Sequence, residues 1–192
     1  MRTTLLVVCT LALAFCTVSA WAVEPSTPPA DTLKVEYFSN ANTAGAPDAT
    51  FRLTNPGTAG GNICASIYVF DPEQEMSECC SCLLTPDGLR TLSVNGDLTS
   101  NPLTGVVLNT GLVKVVSTVP VGGACPLPTN ITPKAAVRAW ATHIENNGFA
   151  VTETNAQDAT LSSGEVTRLN RQCSAIQLDG SGKGICSCGT GD

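Results

Sequence analysis

The stretch Ile63-Cys64-Ala65-Ser66-Ile67-Tyr68-Val69-Phe70 decides the fold class. Side chains alternate across a strand, so one face carries Ile63, Ala65, Ile67 and Val69 and the other Cys64, Ser66, Tyr68 and Phe70. Both faces are largely apolar, which makes this a central strand with material packed on each side. Asp71-Pro72 stops it, because proline has no N–H to continue a ladder.

Period two dominates to either side. Leu33 to Tyr37 alternates apolar and charged residues. Thr50 to Thr54 repeats the pattern with Phe51 and Leu53 inward, and Asn55-Pro56-Gly57 ends it as a turn. Leu89 to Val94 and Gly105 to Leu108 read as weaker strands, Leu112 to Val119 as a strong valine-rich one, and Pro120 to Pro128 as a loop. Ala135 to Ile144 carries two signals. Thr132 as N-cap and Pro133 in the first turn favour a helix. The alternation from Arg138 to Ile144, the turn signal Asn146-Asn147-Gly148 and the strand-like Phe149 to Thr154 favour a hairpin, which is the reading adopted. One helix is expected from Ser163 to Ile176. Ser162 and Glu165 have the spacing of a reciprocal capping box, and Val166, Leu169, Cys173 and Ile176 form one apolar stripe that points Cys173 inward. Roughly eight short strands and one late helix predict a mainly β protein, an antiparallel β-sandwich with one C-terminal helix and disulfide bridges.

The N-terminus reads as a secretory signal. Arg2 precedes an apolar run, Leu5 to Val18, too short to span a bilayer comfortably. Ala20-Trp21-Ala22 places cleavage after Ala22, with cleavage after Ala20 as the alternative. A lipid anchor on Cys16 would want a small residue where Phe15 stands. The expected organisation is a signal peptide over 1–22, a proline-rich leader over 23–31 and a single β-sandwich domain over 32–192. No other stretch is long or apolar enough to form a transmembrane segment. The chain is acidic, with a formal net charge of −6, and losing Arg2 makes the mature chain more so. That excludes nucleic acid and anionic membranes as natural partners. The expected location is outside the cytoplasm, extracellular or periplasmic.

Pro25, Pro28 and Pro29 keep the leader extended. It reads as a spacer or as an arm for a neighbouring subunit. The partners expected are other proteins, or copies of this chain joined through edge strands, with the leader and Leu33 to Tyr37 as the segment donated.

Of ten cysteines, Cys9 and Cys16 leave with the signal. Cys64, Cys79, Cys80, Cys82, Cys125, Cys173, Cys186 and Cys188 remain as disulfide candidates. Bonds within Cys79-Cys80-Ser81-Cys82 or Cys186-Ser187-Cys188 would be strained, so each clustered cysteine should pair with a distant one. The connectivity is not legible. The alternative is a thiolate site for copper or zinc built from Cys79, Cys80, Cys82, Cys186 and Cys188. Against it, the Cys-X2-Cys spacing of zinc sites occurs once, no histidine flanks it, and an exported setting favours oxidation.

Several segments resemble a group of exported bacterial proteins of unassigned function. They are Cys79-Cys80-Ser81-Cys82 followed by Thr85-Pro86 and Gly88-Leu89, Thr152-Glu153-Thr154, Asp158-Ala159-Thr160-Leu161-Ser162, Gly180-Ser181-Gly182 and Gly184-Ile185-Cys186. The resemblance implies a bacterial secreted protein and brings no activity with it.

Other chemistry is sparse. His143 is the only histidine, so a hydrolase triad would have to run through it, with Glu145 or Asp158 to orient it. On a strand it reads instead as a satisfied polar residue. Asp71, Glu73, Glu75 and Glu78 read as a solvated acidic loop rather than a calcium loop. Two Trp and two Tyr argue weakly against a sugar platform. Asn130-Ile131-Thr132 is a glycosylation sequon, relevant only to a eukaryotic source. No catalytic constellation is visible. The expected role is that of a secreted, disulfide-stabilised structural or interaction protein, without enzymatic activity and without a cofactor.

Overall fold

The computed structural model describes residues 31–145, 149–178 and 180–189. The expected signal peptide, the leader up to Ala30 and the Asn146-Asn147-Gly148 turn lie outside them.

Among the described residues nine strands and one α-helix follow in order: β1 (Leu33–Phe38), β2 (Thr50–Thr54), β3 (Ile63–Phe70), β4 (Met76–Leu84), β5 (Leu89–Ser93), β6 (Gly111–Thr118), β7 (Arg138–Ile144), β8 (Val151–Asn155), β9 (Gln157–Asp158) and α1 (Ser163–Leu178). They build a five-stranded sheet ordered β4-β3-β6-β1-β9 and a four-stranded sheet ordered β5-β2-β7-β8. Every pairing is antiparallel. All eight residues of β3 are buried, as its two apolar faces require.

Those two faces serve two cores. Ile63, Ala65, Ile67 and Val69 meet Phe51, Leu53, Leu92, Val113 and Val115 between the sheets. Tyr68 and Phe70 point the other way, into a smaller core with Leu33, Val116, Leu169, Cys173 and Ile176. The molecule is thus a sandwich with a third layer. The helix and the loop carrying Leu127 and Ile131 cover the outer face of the five-stranded sheet. No described element covers the outer face of the four-stranded sheet, where Thr50, Arg52, Thr91, Trp140 and Thr142 are only half-buried.

The hairpin reading of Arg138 to Thr154 holds, with β7 and β8 paired from Trp140↔Asn155 to Ile144↔Val151. The Thr132-Pro133 helix signal sits instead in a connection that bridges the end of β6, Pro133 opposite Thr118. The capping box forms by half. The Glu165 N–H donates to Ser162 Oγ at 3.1 Å, but the Glu165 carboxylate turns to Arg168 and Lys114 rather than back to Ser162.

Three expectations are corrected. Gly105 to Leu108 is not a strand; Gly105 has φ 73° and the segment is an irregular approach to β6. Val94 does not extend β5 but opens a single π-helical turn, Val94–Leu98, capped by Ser93 Oγ accepting from the Gly96 N–H. Glu78 is not in a solvated loop. It lies fully buried on β4, a strand that the sequence reading did not find. Counted as small buried hydrophobes, its cysteines show the missing period: Cys80, Cys82 and Leu84 face the main core, while Cys79 faces the helix.

Candidate functional site

All eight cysteines beyond residue 30 are bridged: Cys64–Cys125, Cys79–Cys173, Cys80–Cys186 and Cys82–Cys188. Their Cα separations of 5.6, 5.9, 5.2 and 5.4 Å suit disulfides. Strand geometry explains the pattern. Neighbours on a strand point to opposite faces, so Cys79 reaches out to α1 while Cys80 reaches the other way to the C-terminal tail. Cys80 and Cys82 share a face and meet Cys186 and Cys188, which have the same spacing. Both bridges span 106 residues, as a tail running parallel to β4 demands.

This tail closes one flank of the sandwich. The Cys79 N–H donates to Gly184 O at 2.8 Å, so the outer edge of β4 is occupied. Gly184 must be glycine, since φ is 75° and a Cβ would collide with Ile176. Beyond it the Ser187 N–H donates to Asp97 O at 2.9 Å, the Ser187 hydroxyl to the Asp97 carboxylate, and Arg90 to Cys188 O at 3.3 Å beside β5. Glu78 sits beneath, its Oε1 accepting from the Asn101 N–H at 3.1 Å and its Oε2 without a partner among the described residues. Burial pushes its carboxyl up to about 7, against the pull of the Asn101 bond.

The opposite flank is different. β9 is only two residues long and is closed by charge: Lys34 Nζ lies 2.8 Å from both Asp31 Oδ1 and Asp158 Oδ1, and the Asp31 N–H donates to Asp158 Oδ1. Burial raises the Asp158 pKa, but the hydrogen bonds from Lys34 and Asp31 outweigh it and hold the carboxyl below its ordinary value. β8 has no such closure. All five of its residues are exposed. Bonds from Glu145 N to Ala150 O and from Ala156 N to Ala139 O set the phase of the ladder, which turns the N–H and C=O groups of Val151, Glu153 and Asn155 away from β7. None of these three N–H groups has a partner among the described residues. β8 also lacks the usual guards of an edge, having neither Pro, Lys nor a bulge. Its one charge, Glu153, is held on the sheet face by Arg52.

No family model matches this chain, and neither does any curated protein or solved structure. The functional reading therefore rests on the geometry of its own residues.

Neither Glu145 nor Asp158 pairs with His143. Its Nε2 meets Thr154 Oγ1 at 2.8 Å and Glu36 Oε1 at 3.7 Å, Tyr37 stacks on the ring at 4.4 Å, and Asp158 is engaged elsewhere. A triad needs an acceptor on the second ring nitrogen to orient the base. Here Nδ1 is buried with no partner among the described residues, and Glu36 approaches Nε2, on the same side as the hydroxyl. The cluster ties β1 of one sheet to β7 and β8 of the other. It was not legible in sequence, because Glu36 and His143 lie more than a hundred residues apart.

The five sulfurs of the copper or zinc alternative do not gather as one set. Cys79 faces the helix, and the other four face the main core. Among these, the sulfurs of Cys80, Cys82 and Cys188 lie within 4.8 Å of one another.

β1 is not a free arm. All six of its residues pair with β6, and β9 lies on its other side. Among the described strands, β8 is the edge strand whose residues are all exposed.

Proposed function

We propose that this chain is a secreted bacterial protein, held together by its disulfides for use at or outside the cell surface, and that it works by contact rather than catalysis. β8 is the edge through which it takes up a strand from a partner protein or a second copy. One observation carries this: all five residues of β8 are exposed, its outward N–H groups have no partner among the described residues, and it carries no Pro, Lys or bulge to guard it. The disulfides suit an oxidising location, and no described helix is long and apolar enough to cross a membrane.

Glu153→Pro tests the edge. It removes an outward N–H and leaves the ladder to β7 intact, since proline is tolerated on an edge strand. Native protein should associate with rising concentration in size-exclusion chromatography with light scattering, or capture a partner, and the variant should do neither. Association undiminished in the variant would sink the role of β8. Mass spectrometry of protein recovered from its source should show a chain beginning at Val23 and lacking the hydrogens of four bridges.

A second reading, copper or zinc binding, rests on the proximity of Cys80, Cys82 and Cys188. A bridged sulfur carries no thiolate charge for a metal, so this requires Cys80–Cys186 and Cys82–Cys188 to be reduced. Metal analysis of protein purified without chelator, before and after reduction and reloading, decides it. Protein that stays empty in both states excludes it.

A further inference from the structure

A cleft of about 670 Å³ opens beside the end of β3, the start of β6 and the first half of α1. Phe70, Pro72 and Leu112 give it apolar walls, and Lys114, Arg168 and Asp71 line it as well. Its volume is in the range of small-molecule sites.

Two cations converge beside this cleft. Lys114 Nζ and Arg168 Cζ lie 5.4 and 5.3 Å from the centre of the Phe70 ring, so one aromatic ring is approached by two cations. Both are held by Glu165: Lys114 Nζ donates to its Oε1 at 2.7 Å, and Arg168 donates to Oε1 at 2.7 Å and Oε2 at 3.0 Å. Two cations against one carboxylate leave a surplus positive charge, in a protein whose net charge is −6. Lys114 spends one N–H on Glu165, and Arg168 spends two there and one on Gln172 at 3.1 Å. Both therefore keep donors with no partner among the described residues. Asp71 also lines the cleft but pairs with neither cation; its Oδ1 accepts from the Glu75 N–H at 2.7 Å.

We propose that this cleft binds a small amphiphilic anion, a carboxylate whose apolar body lies along Phe70, Pro72 and Leu112 and whose charged end meets Lys114 and Arg168. The apolar walls select the body by burying it. The surplus charge and spare donors select the end, as charge-assisted hydrogen bonds to a carboxylate are stronger than neutral ones. The site is on the outer side of the five-stranded sheet and is independent of the β8 edge.

Octanoate, octan-1-ol and octylammonium form a matched set of probes. With isotopically labelled, fully bridged protein, octanoate should shift the amide resonances of Leu112, Lys114 and Arg168. Octan-1-ol should bind about tenfold more weakly, and octylammonium not at all. Lys114→Met keeps the stem and removes the charge, and should bring octanoate down to the level of the alcohol while leaving the alcohol unchanged. Lys114→Arg should retain binding. Arg168→Gln, at a half-buried position on α1, gives the same test should Lys114→Met fold poorly. Equal affinity for octanoate and octan-1-ol, shifts confined to residues away from the cleft, or no shift at millimolar octanoate would each overturn the proposal. Glu153→Pro should bind octanoate as the native protein does, so failure at the edge and failure at the cleft are separately visible.

Discussion

The two flanks of this sandwich are closed by different physics. On the β4/β5 flank the tail is bound by two disulfides, by Cys79 N–H to Gly184 O, and by Ser187 on Asp97. A buried carboxyl, Glu78, lies beneath it. On the β9/β8 flank nothing is covalent. Lys34 holds Asp31 and Asp158, Glu36 and Thr154 meet His143, and β8 ends the sheet bare. The difference teaches that covalent closure has been placed where the chain end must be held, and that the flank left to charge is also the one with an unused ladder. It also makes the two flanks answer to pH with opposite sign.

The largest effect should come from removing Cys79–Cys173, the bridge that fixes the helical layer. Replacing both with alanine should cost about 3–5 kcal/mol on the chain-entropy account, read as a lowered denaturant midpoint. Replacing Cys82 and Cys188 releases only a short ring, because Cys80–Cys186 two residues away stays closed, and should cost less and leave the helix docked. Equal costs with the helical signal intact in both variants would contradict this.

Glu78→Gln comes next. The folded carboxyl binds its proton more tightly than the unfolded one, so native stability should fall as pH rises from about 4.5 to about 7 and then level off. The penalty above pH 7 is on the order of 3 kcal/mol. The amide removes it, so the variant should be the more stable protein at pH 8 and show little advantage at pH 4. Chemical denaturation at the two values measures this, and a variant less stable at pH 8 would contradict it.

Asp158→Asn probes the other flank. The native carboxyl is held below its ordinary value, so its contribution is complete above the unfolded pKa and is lost as pH falls through the folded one. Half of the Asp158 side chain is exposed, and solvent screens the pair, so the loss at neutral pH should stay under about 1 kcal/mol. It should vanish in acid, where Asp158 is protonated anyway. Salt should weaken it as well.

The smallest effect belongs to Arg52→Gln. Its ion pair with Glu153 is exposed and should be worth about 0.5 kcal/mol or less. Freeing Glu153 places an unpaired charge on the edge, so association through β8 should weaken more than stability does. A large loss of stability with unchanged association would mean that β8 is held more firmly than its exposure suggests.

How far the sequence could be read depended on how local each signal was. β3 was plain because eight consecutive residues are apolar on both faces. The β7–β8 hairpin and the helix followed from alternation, a turn dipeptide and a cap, all within a few residues. β4 was hidden because serine, glutamate and cysteine carry little apolar signal until the cysteines are bridged and buried. Gly105 to Leu108 misled for the opposite reason, since valines that look like a strand are left exposed where no neighbour pairs with them.

The sequence by itself determined a mainly β chain with a late helix and cysteines too crowded to pair among themselves. Each of these depends on side-chain period or ring strain, which act over a few bonds. Only the tertiary structure decided which cysteine meets which, that Glu78 is buried, that β8 is left open, and that Lys114, Arg168 and Glu165 converge on Phe70. Those outcomes depend on strand order and on where a tail can lie. Both are set by the packing of segments tens of residues apart, whose contacts no local pattern records.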